Sequence, residues 1–150
     1  MLDPEFDELY RKAVAVREHA YAPYSGFAVG AALLTEDGRI FTGVNVENAS
    51  FPVTICAERG ALMTAVAAGA RSFRAVAVVT DAEHPAAPCG LCRQMLAEFG
   101  LDMKVLIIGK DGPDSIVTLR ELLPRAFTRG SFELRSLVVP AQPASDPASE

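Results

Sequence analysis

The stretch CAERGALMTAVAAGA, residues 56–70, followed closely by FRAVAVVT, residues 73–80, decides the fold. The first segment is helical in composition, and Gly69 stands where a glycine commonly closes a helix. Its alanines lie nearly all round the helix, which predicts burial on most faces rather than along one stripe. FRAVAVVT is a near-continuous apolar run of strand length, the pattern of a sheet covered on both sides. A helix leading into a doubly covered strand implies a layered α/β domain. The same stretch raises a chemical question, because Cys56, Glu58 and Arg59 stand together in apolar surroundings. Glu and Arg are rarely buried without partners, so the plainest reading is a surface charge pair beside a buried structural cysteine.

On the N-terminal side, Asp3-Pro4 reads as a helix start, a capping side chain followed by proline. Phe6, Leu9, Tyr10, Ala13, Val14 and Ala20 then recur at helical spacing. His19, near the end of that helix, reads as a partner of the helix dipole. Residues 22–48, APYSGFAVGAALLTEDGRIFTGVNVEN, switch to period two around an EDG turn and predict a β-hairpin. Phe27, Val29, Ala31 and Leu33 share one side, and the small residues between them predict a closely packed neighbour.

On the C-terminal side, DAEHPAAP is a loop and CGLCRQMLAEFG a helix closing at Gly100. MKVLIIG is a second buried strand, TLRELLPRAF a short helix stopped by Pro124, and SFELRSLVV, residues 131–139, a further strand. From about residue 140 the Pro/Ala/Ser-rich PAQPASDPASE predicts a disordered tail. Helix, hairpin, helix, strand, helix, strand describes an α/β domain with a mixed sheet, its later strands joined by helical crossovers.

A chain of 150 residues, half of them hydrophobic, fits one domain with a sizeable core. The net charge of −5, with no Lys/Arg cluster, argues against nucleic acid as a partner. No apolar run is long enough to span a bilayer. The N-terminus is acidic and has no apolar h-region, so no secretory signal and no membrane are expected, and the cytoplasm is the expected location.

Three cysteines cannot make a closed disulfide framework. Their clustering at Cys56 and at Cys89/Cys92 reads as metal binding or catalysis in a reducing compartment. The CxxC at residues 89–92 allows a redox pair, half of a structural zinc site, or part of a catalytic one. The redox reading leaves Cys56 unexplained. A structural zinc normally takes four protein ligands, for which His84 is the only nearby fourth candidate. A catalytic zinc takes three and leaves a position for water, so ligand count favours catalysis. Glu58 lies two residues from Cys56, a spacing that does not face one metal on a regular helix. From the first helical turn its carboxylate could still reach a metal-bound water and act as general base and acid.

CAE at residues 56–58 together with PCGLC at 88–92 is similar to the signature of the zinc nucleoside and nucleobase deaminases, in which the Glu is not a ligand. APYSGFAVGAAL, NVENASFP, CAERGA, PCGLCRQMLAEFG and LRELLPRAF, in that order over residues 21–127, resemble the small homotetrameric cytidine deaminases. The resemblance implies a three-layer α/β/α fold with a mixed five-stranded sheet. It places a single domain at residues 1–136 and a C-terminal extension at 137–150. It implies one Zn2+ per subunit on Cys56, Cys89 and Cys92. Glu58 then carries a proton from the zinc-bound water to N3, hydroxide attacks C4, and ammonia leaves. The implied reaction converts cytidine and 2′-deoxycytidine to uridine and 2′-deoxyuridine in pyrimidine salvage.

By the same resemblance Arg59 offsets the excess charge of three thiolates on a divalent ion, while Arg93 either shares that task or pairs at the surface. Asn45 and Glu47, two apart on an expected strand, share a face and take the ribose hydroxyls. Phe27 lines the pyrimidine pocket with Val29 behind it as ordinary core, and the Ala57 backbone meets the amide edge of the base. Phe127 corresponds to an aromatic that reaches a neighbouring subunit's pocket, implying a homotetramer with shared active sites. Two positions depart from the family pattern: Phe51, where many relatives carry tyrosine, and Gly60, where they often carry threonine or alanine, a change expected to loosen the first helical turn. Two other readings stay open at this level. One is a deaminase of another aminopyrimidine nucleoside such as blasticidin S. The other is a non-catalytic, zinc-stabilised interaction module with His84 as fourth ligand.

Overall fold

In the computed structural model, which describes residues 3–131, the chain opens with helix α1, Pro4–Arg17. The Asp3 side chain caps it by accepting from the Glu5 N–H at 3.1 Å, and Pro4 occupies the first turn, where a missing N–H costs nothing. Strands β1, Gly30–Thr35, and β2, Ile40–Val44, form the expected hairpin, with Gly38 at φ +87° in its turn. Helix α2, Ala57–Ala67, gives way to Gly69 at φ +91°, the left-handed conformation that favours glycine at a helix end. Strand β3, Phe73–Val79, helix α3, Gly90–Ala97, and strand β4, Lys104–Gly109, follow. Strand β5, Gly112–Thr118, then runs into the four-residue helix α4, Leu119–Leu122.

The sheet order is β2-β1-β3-β4-β5. Strands β3 and β4 are parallel, joined by the α3 crossover, and every other neighbouring pair is antiparallel. Alternation then sorts the side chains into two cores. Ala31, Leu33, Val76, Val78, Val105 and Ile107 pack with α2 and α3 residues such as Leu62 and Leu96. Ala32, Leu34, Ala75, Ala77, Leu106 and Ile108 pack against Leu9 and Ala13 of α1. The result is the three-layer α/β/α arrangement, with every residue of β1 buried.

Small residues set the layer spacing. A Cβ on Gly30 would lie 2.3 Å from the Ala13 carbonyl oxygen, and one on Gly43 would lie 2.2 Å from the Ala61 nitrogen. The predicted close neighbours of the hairpin are therefore α1 on one face and α2 on the other.

The described sheet takes its fifth strand from residues 112–118, a segment for which the sequence predicts no strand. The expected strand at residues 131–139 falls essentially outside the described residues, as do the domain boundary at 136 and the extension at 137–150. The observed fifth strand is β5, whose Gly112, Pro113 and Asp114 have low strand propensity and mask it. It is an edge strand with none of its residues fully buried, closed onto β4 through Lys110-Asp111, with Gly109 opposite Gly112 and Gly112 at φ +110°. Among the described residues no helix is long and apolar enough to cross a membrane.

Candidate metal centre and active site

Helices α2 and α3 begin side by side, and each begins with a cysteine. Cys56 and Cys89 are the N-cap residues, both extended, and neither thiol is used as a cap. Each serves its helix through its carbonyl instead: Cys56 O accepts from Gly60 N at 3.1 Å, and Cys89 O from Arg93 N at 3.0 Å. The sulfurs are left free for other partners. Cys92, in the first turn of α3, comes within 3.6 Å of the Cys89 sulfur, while the Cys56 and Cys89 sulfurs are 3.8 Å apart.

All three sulfurs lie within 4.8 Å of one another. A disulfide needs about 2 Å between its sulfurs, so these are separate thiols. A tetrahedral zinc with bonds of about 2.3 Å holds its sulfurs about 3.8 Å apart, so the cluster has the right chemistry and the right spacing for that ion. His84 is exposed and does not join the cluster, which leaves three protein ligands rather than four.

The protons on this cluster are unevenly shared. Cys56 is drawn down to about 5, first by its hydrogen bond with Cys92 and then by Arg59 and Cys89. Cys92 is pushed up as the donor of that bond, with burial and the nearby Glu58 and Cys56 charges adding to the effect. Arg59 donates from Nη2 to the Thr54 carbonyl at 3.0 Å and to the Cys56 sulfur at 3.8 Å. Its Nε is buried with no hydrogen-bond partner among the described residues.

Glu58 is only 5% exposed. Burial raises its pKa, and the Cys56 charge adds to the rise. The opening stretch is therefore not a solvated charge pair: the carboxylate sits under the helix start, and the guanidinium faces a sulfur.

A cavity of about 330 Å³ opens in front of this cluster, with Cys56, Cys89 and Glu58 in its wall. Of the residues singled out in the sequence, Phe27, Val29, Asn45, Glu47 and Ala57 also line it. Val29, expected as ordinary core behind the pocket, contributes to both the core and the wall. Phe127 does not line this cavity; it is exposed, and its carbonyl accepts from Gln94 Nε2 at 2.9 Å.

Asn45 and Glu47 lie past the end of β2 rather than on it. They flank Val46, which bridges to Tyr21 and Ile55 and so keeps the extended, alternating geometry beyond the strand. Asn45 clamps the opposite wall, donating from Nδ2 to Phe27 O and accepting at Oδ1 from Val29 N, both at 2.8 Å. Glu47 Oε1 accepts from Tyr24 N at 3.0 Å and Ser25 N at 3.1 Å. Hydrogen bonds from the Ser25 side chain and backbone, and from Tyr24 N, hold its carboxyl below the usual range.

Arg93 takes neither expected role. It donates to the carbonyls of Pro88 at 2.6 Å and Leu122 at 2.8 Å, stapling the ligand loop to α4. Phe51, which lacks the tyrosine hydroxyl, stacks edge-on against Tyr24 with ring centroids 5.7 Å apart.

Sequence reasoning passed over Thr80, which follows β3 into the cavity wall, 6% exposed, its hydroxyl accepting from Ala82 N at 3.3 Å. The signal was a single polar residue closing an apolar run. Ala86 and Ala87, also in the wall, gave none.

A family model described as the cytidine and deoxycytidylate deaminase zinc-binding region matches residues 4–108. The chain belongs to that family. A cytidine deaminase from Sporosarcina psychrophila is 48% identical over 126 residues, spanning 83% of this chain and 93% of the relative. One from Halalkalibacterium halodurans is 50% identical over 121 residues, spanning 80% and 92%. The crystal structure of cytidine deaminase from Burkholderia pseudomallei superposes with a TM-score of 0.78 at 49% identity, covering 81% of this chain and 98% of that one. Both cysteine segments, Cys56 and Cys89/Cys92, fall within the matched zinc-binding region of this deaminase family.

Proposed function

We propose that the protein hydrolyses cytidine and 2′-deoxycytidine to uridine and 2′-deoxyuridine, releasing ammonia. One observation carries the reading: a buried carboxylate, Glu58, shares the wall of a nucleoside-sized cavity with Cys56 and Cys89, two members of a cluster of three thiols at zinc-binding separations. Cys56, Cys89 and Cys92 hold the zinc, which when bound supplies the Lewis acidity that lowers the pKa of a coordinated water towards 7. Glu58, its pKa raised by burial, accepts a proton from water and returns it to N3 of the ring. Arg59 and the two helix N-termini offset the negative charge of the thiolates. Phe27 packs on the pyrimidine, the Ala57 backbone meets its amide edge, and Asn45 and Glu47 take the ribose hydroxyls.

The cavity's charge separates two branches of the family. Its described lining carries the acids Glu47 and Glu58 and no Lys, Arg or His, so a 5′-phosphate would meet repulsion and no cationic partner. A neutral nucleoside fits it better than a nucleotide.

The catalytic unit is a single domain over residues 1–136, working in the cytoplasm as a homotetramer. The sheet and two continuous cores of residues 3–131 support the first point. Exposed Tyr24, Phe27, Phe51 and Phe127 support the last, since large aromatics left in water are suited to a neighbour that covers them. In that assembly Phe127 reaches an adjoining subunit's cavity.

The direct test follows the fall in ultraviolet absorbance as cytidine becomes uridine, with 2′-deoxycytidylate and blasticidin S as competing substrates. Turnover of cytidine and deoxycytidine well above both is expected. Preference for either competitor would overturn the substrate assignment.

A further inference from the structure

Residues 26–29, which carry Phe27 into the cavity, belong to no helix or strand, yet side chains take up their backbone polar groups in turn. Phe27 N donates to Ser25 Oγ at 3.0 Å, and Asn45 holds Phe27 O and Val29 N. Asn45 N donates to Val29 O at 3.3 Å, and the Ala28 carbonyl accepts from Arg17 Nε at 2.9 Å. Arg17 ends α1, on the far side of the sheet from the cysteines. Its Nη2 forms an ion pair with Asp81, in the loop that follows Thr80 and carries Ala86 and Ala87 into the same cavity.

We propose that Arg17 is a positioning residue that spans two walls of the cavity, tying residues 27–29 to the 81–88 loop and so setting the space open to the nucleoside.

The fold makes room for this tie. A Cβ on Gly30 would lie 2.7 Å from Arg17 Cβ, so glycine there lets the end of α1 sit directly on β1. The Arg17 side chain is 22% exposed, which screens its charge less than at an open surface. The loop's other attachments run to α3, where Arg93 Nε donates to Pro88 O at 2.6 Å, and to the β4 side. Lys110 N donates to Ala82 O at 3.1 Å, and Gly109 admits Ala82 O and Pro85, which would crowd any Cβ there. Among the described residues Arg17 thus links this loop to the Phe27 wall. A guanidinium suits the task because its planar fork serves two partners at once, whereas a lysine ammonium on a flexible stem serves one or the other.

Losing the tie leaves Ala28 O without its donor and Asp81 without its cation. Both walls must then be ordered by the substrate itself, a cost that falls equally on ground state and transition state. KM therefore rises while kcat holds.

This inference rests on the deaminase reading above, so the experiment pairs kinetics with a readout independent of activity. Arg17→Met, Arg17→Lys and Asp81→Asn would be compared in the full zinc-loaded chain by cytidine kinetics and by hydrogen exchange of residues 24–29 and 81–88. Arg17→Met is expected to raise KM on the order of tenfold, the scale of one lost charge-assisted hydrogen bond, with kcat within about twofold of the parent. Exchange should rise in both segments, Arg17→Lys should recover only part of either effect, and Asp81→Asn should loosen chiefly 81–88. Unchanged KM and exchange in folded variants would overturn the proposal, as would a fall in kcat at constant KM or full recovery by lysine. If Arg17→Met does not fold, the lysine and Asp81 variants decide the matter. If the parent enzyme leaves cytidine untouched, the deaminase reading falls, and the exchange data alone judge the tie.

Discussion

Glu58 is the residue whose setting most strongly constrains the chemistry. A carboxylate in the first helical turn gains from the dipole, but at 5% exposure it loses far more hydration than that gain restores. The balance is a raised pKa, and a carboxyl poised to give back the proton it takes. Glu47 shows the opposite case, a half-buried carboxylate held below its ordinary value of 4.5 by donors from Ser25 and Tyr24. Because its folded pKa is the lower one, its ionised form contributes stability above the unfolded pKa, and that contribution fades as pH falls through the folded value. A carbon-detected NMR titration should place the Glu47 carboxyl midpoint below 4.5, and Ser25→Ala should move it upward. An unshifted midpoint would remove the argument that these donors fix the wall. At this scale the cluster of three thiols and the Glu58 beside it were legible in the sequence, because CAE and CxxC carry their chemistry in fixed spacing. Arg17 was not, since a basic residue in a helix's last turn is expected whatever its function. Arg93 misled because its partners are backbone carbonyls, which leave no trace in sequence.

The decisive contact between elements is the crossing of β2 and α2 at Gly43 and Gly60. It seats the helix start, and with it Cys56 and Glu58, against the sheet. A Cβ at Gly43 would fall 2.2 Å from the Ala61 nitrogen, whereas one at Gly60 would meet only Val44 O at 3.5 Å and Gly43 Cα at 3.6 Å, ordinary contact distances. The two glycines therefore differ in kind: one is required by a close approach, and the other carries only the helix penalty of glycine. Gly43→Ala should destabilise by about 1–3 kcal/mol or more as an overpacking change. Gly60→Ala should stabilise by up to about 1 kcal/mol through helix propensity. Urea unfolding midpoints of the zinc-loaded variants measure both, and a destabilised Gly60→Ala would contradict the reading. The helices, the hairpin and the buried strands were legible because their periodicity is long and unmixed. Strand β5 was hidden by its Gly-Pro-Asp start, although the Asp111-Gly112 pair at its entry is itself a hairpin signal.

Across the whole molecule, the sheet acts as a frame that sets two helix starts side by side on one face and the Arg17 tie on the other. Its layered order followed from the sequence because apolar runs report burial on both faces. The cavity did not, because Thr80, Ala86 and Ala87 reach it only once the crossovers are in place. The central claim is a division of labour within the stretch that began the reading: Cys56 holds metal with Cys89 and Cys92, and Glu58 moves protons without holding it. Glu58→Gln keeps the side chain's size and removes its capacity to take up a proton. Its zinc content and uridine formation, measured on one preparation, test that claim most directly. Zinc equal to the parent's with turnover reduced by several orders of magnitude is the expected result. Lost zinc, or turnover near the parent's, would contradict it.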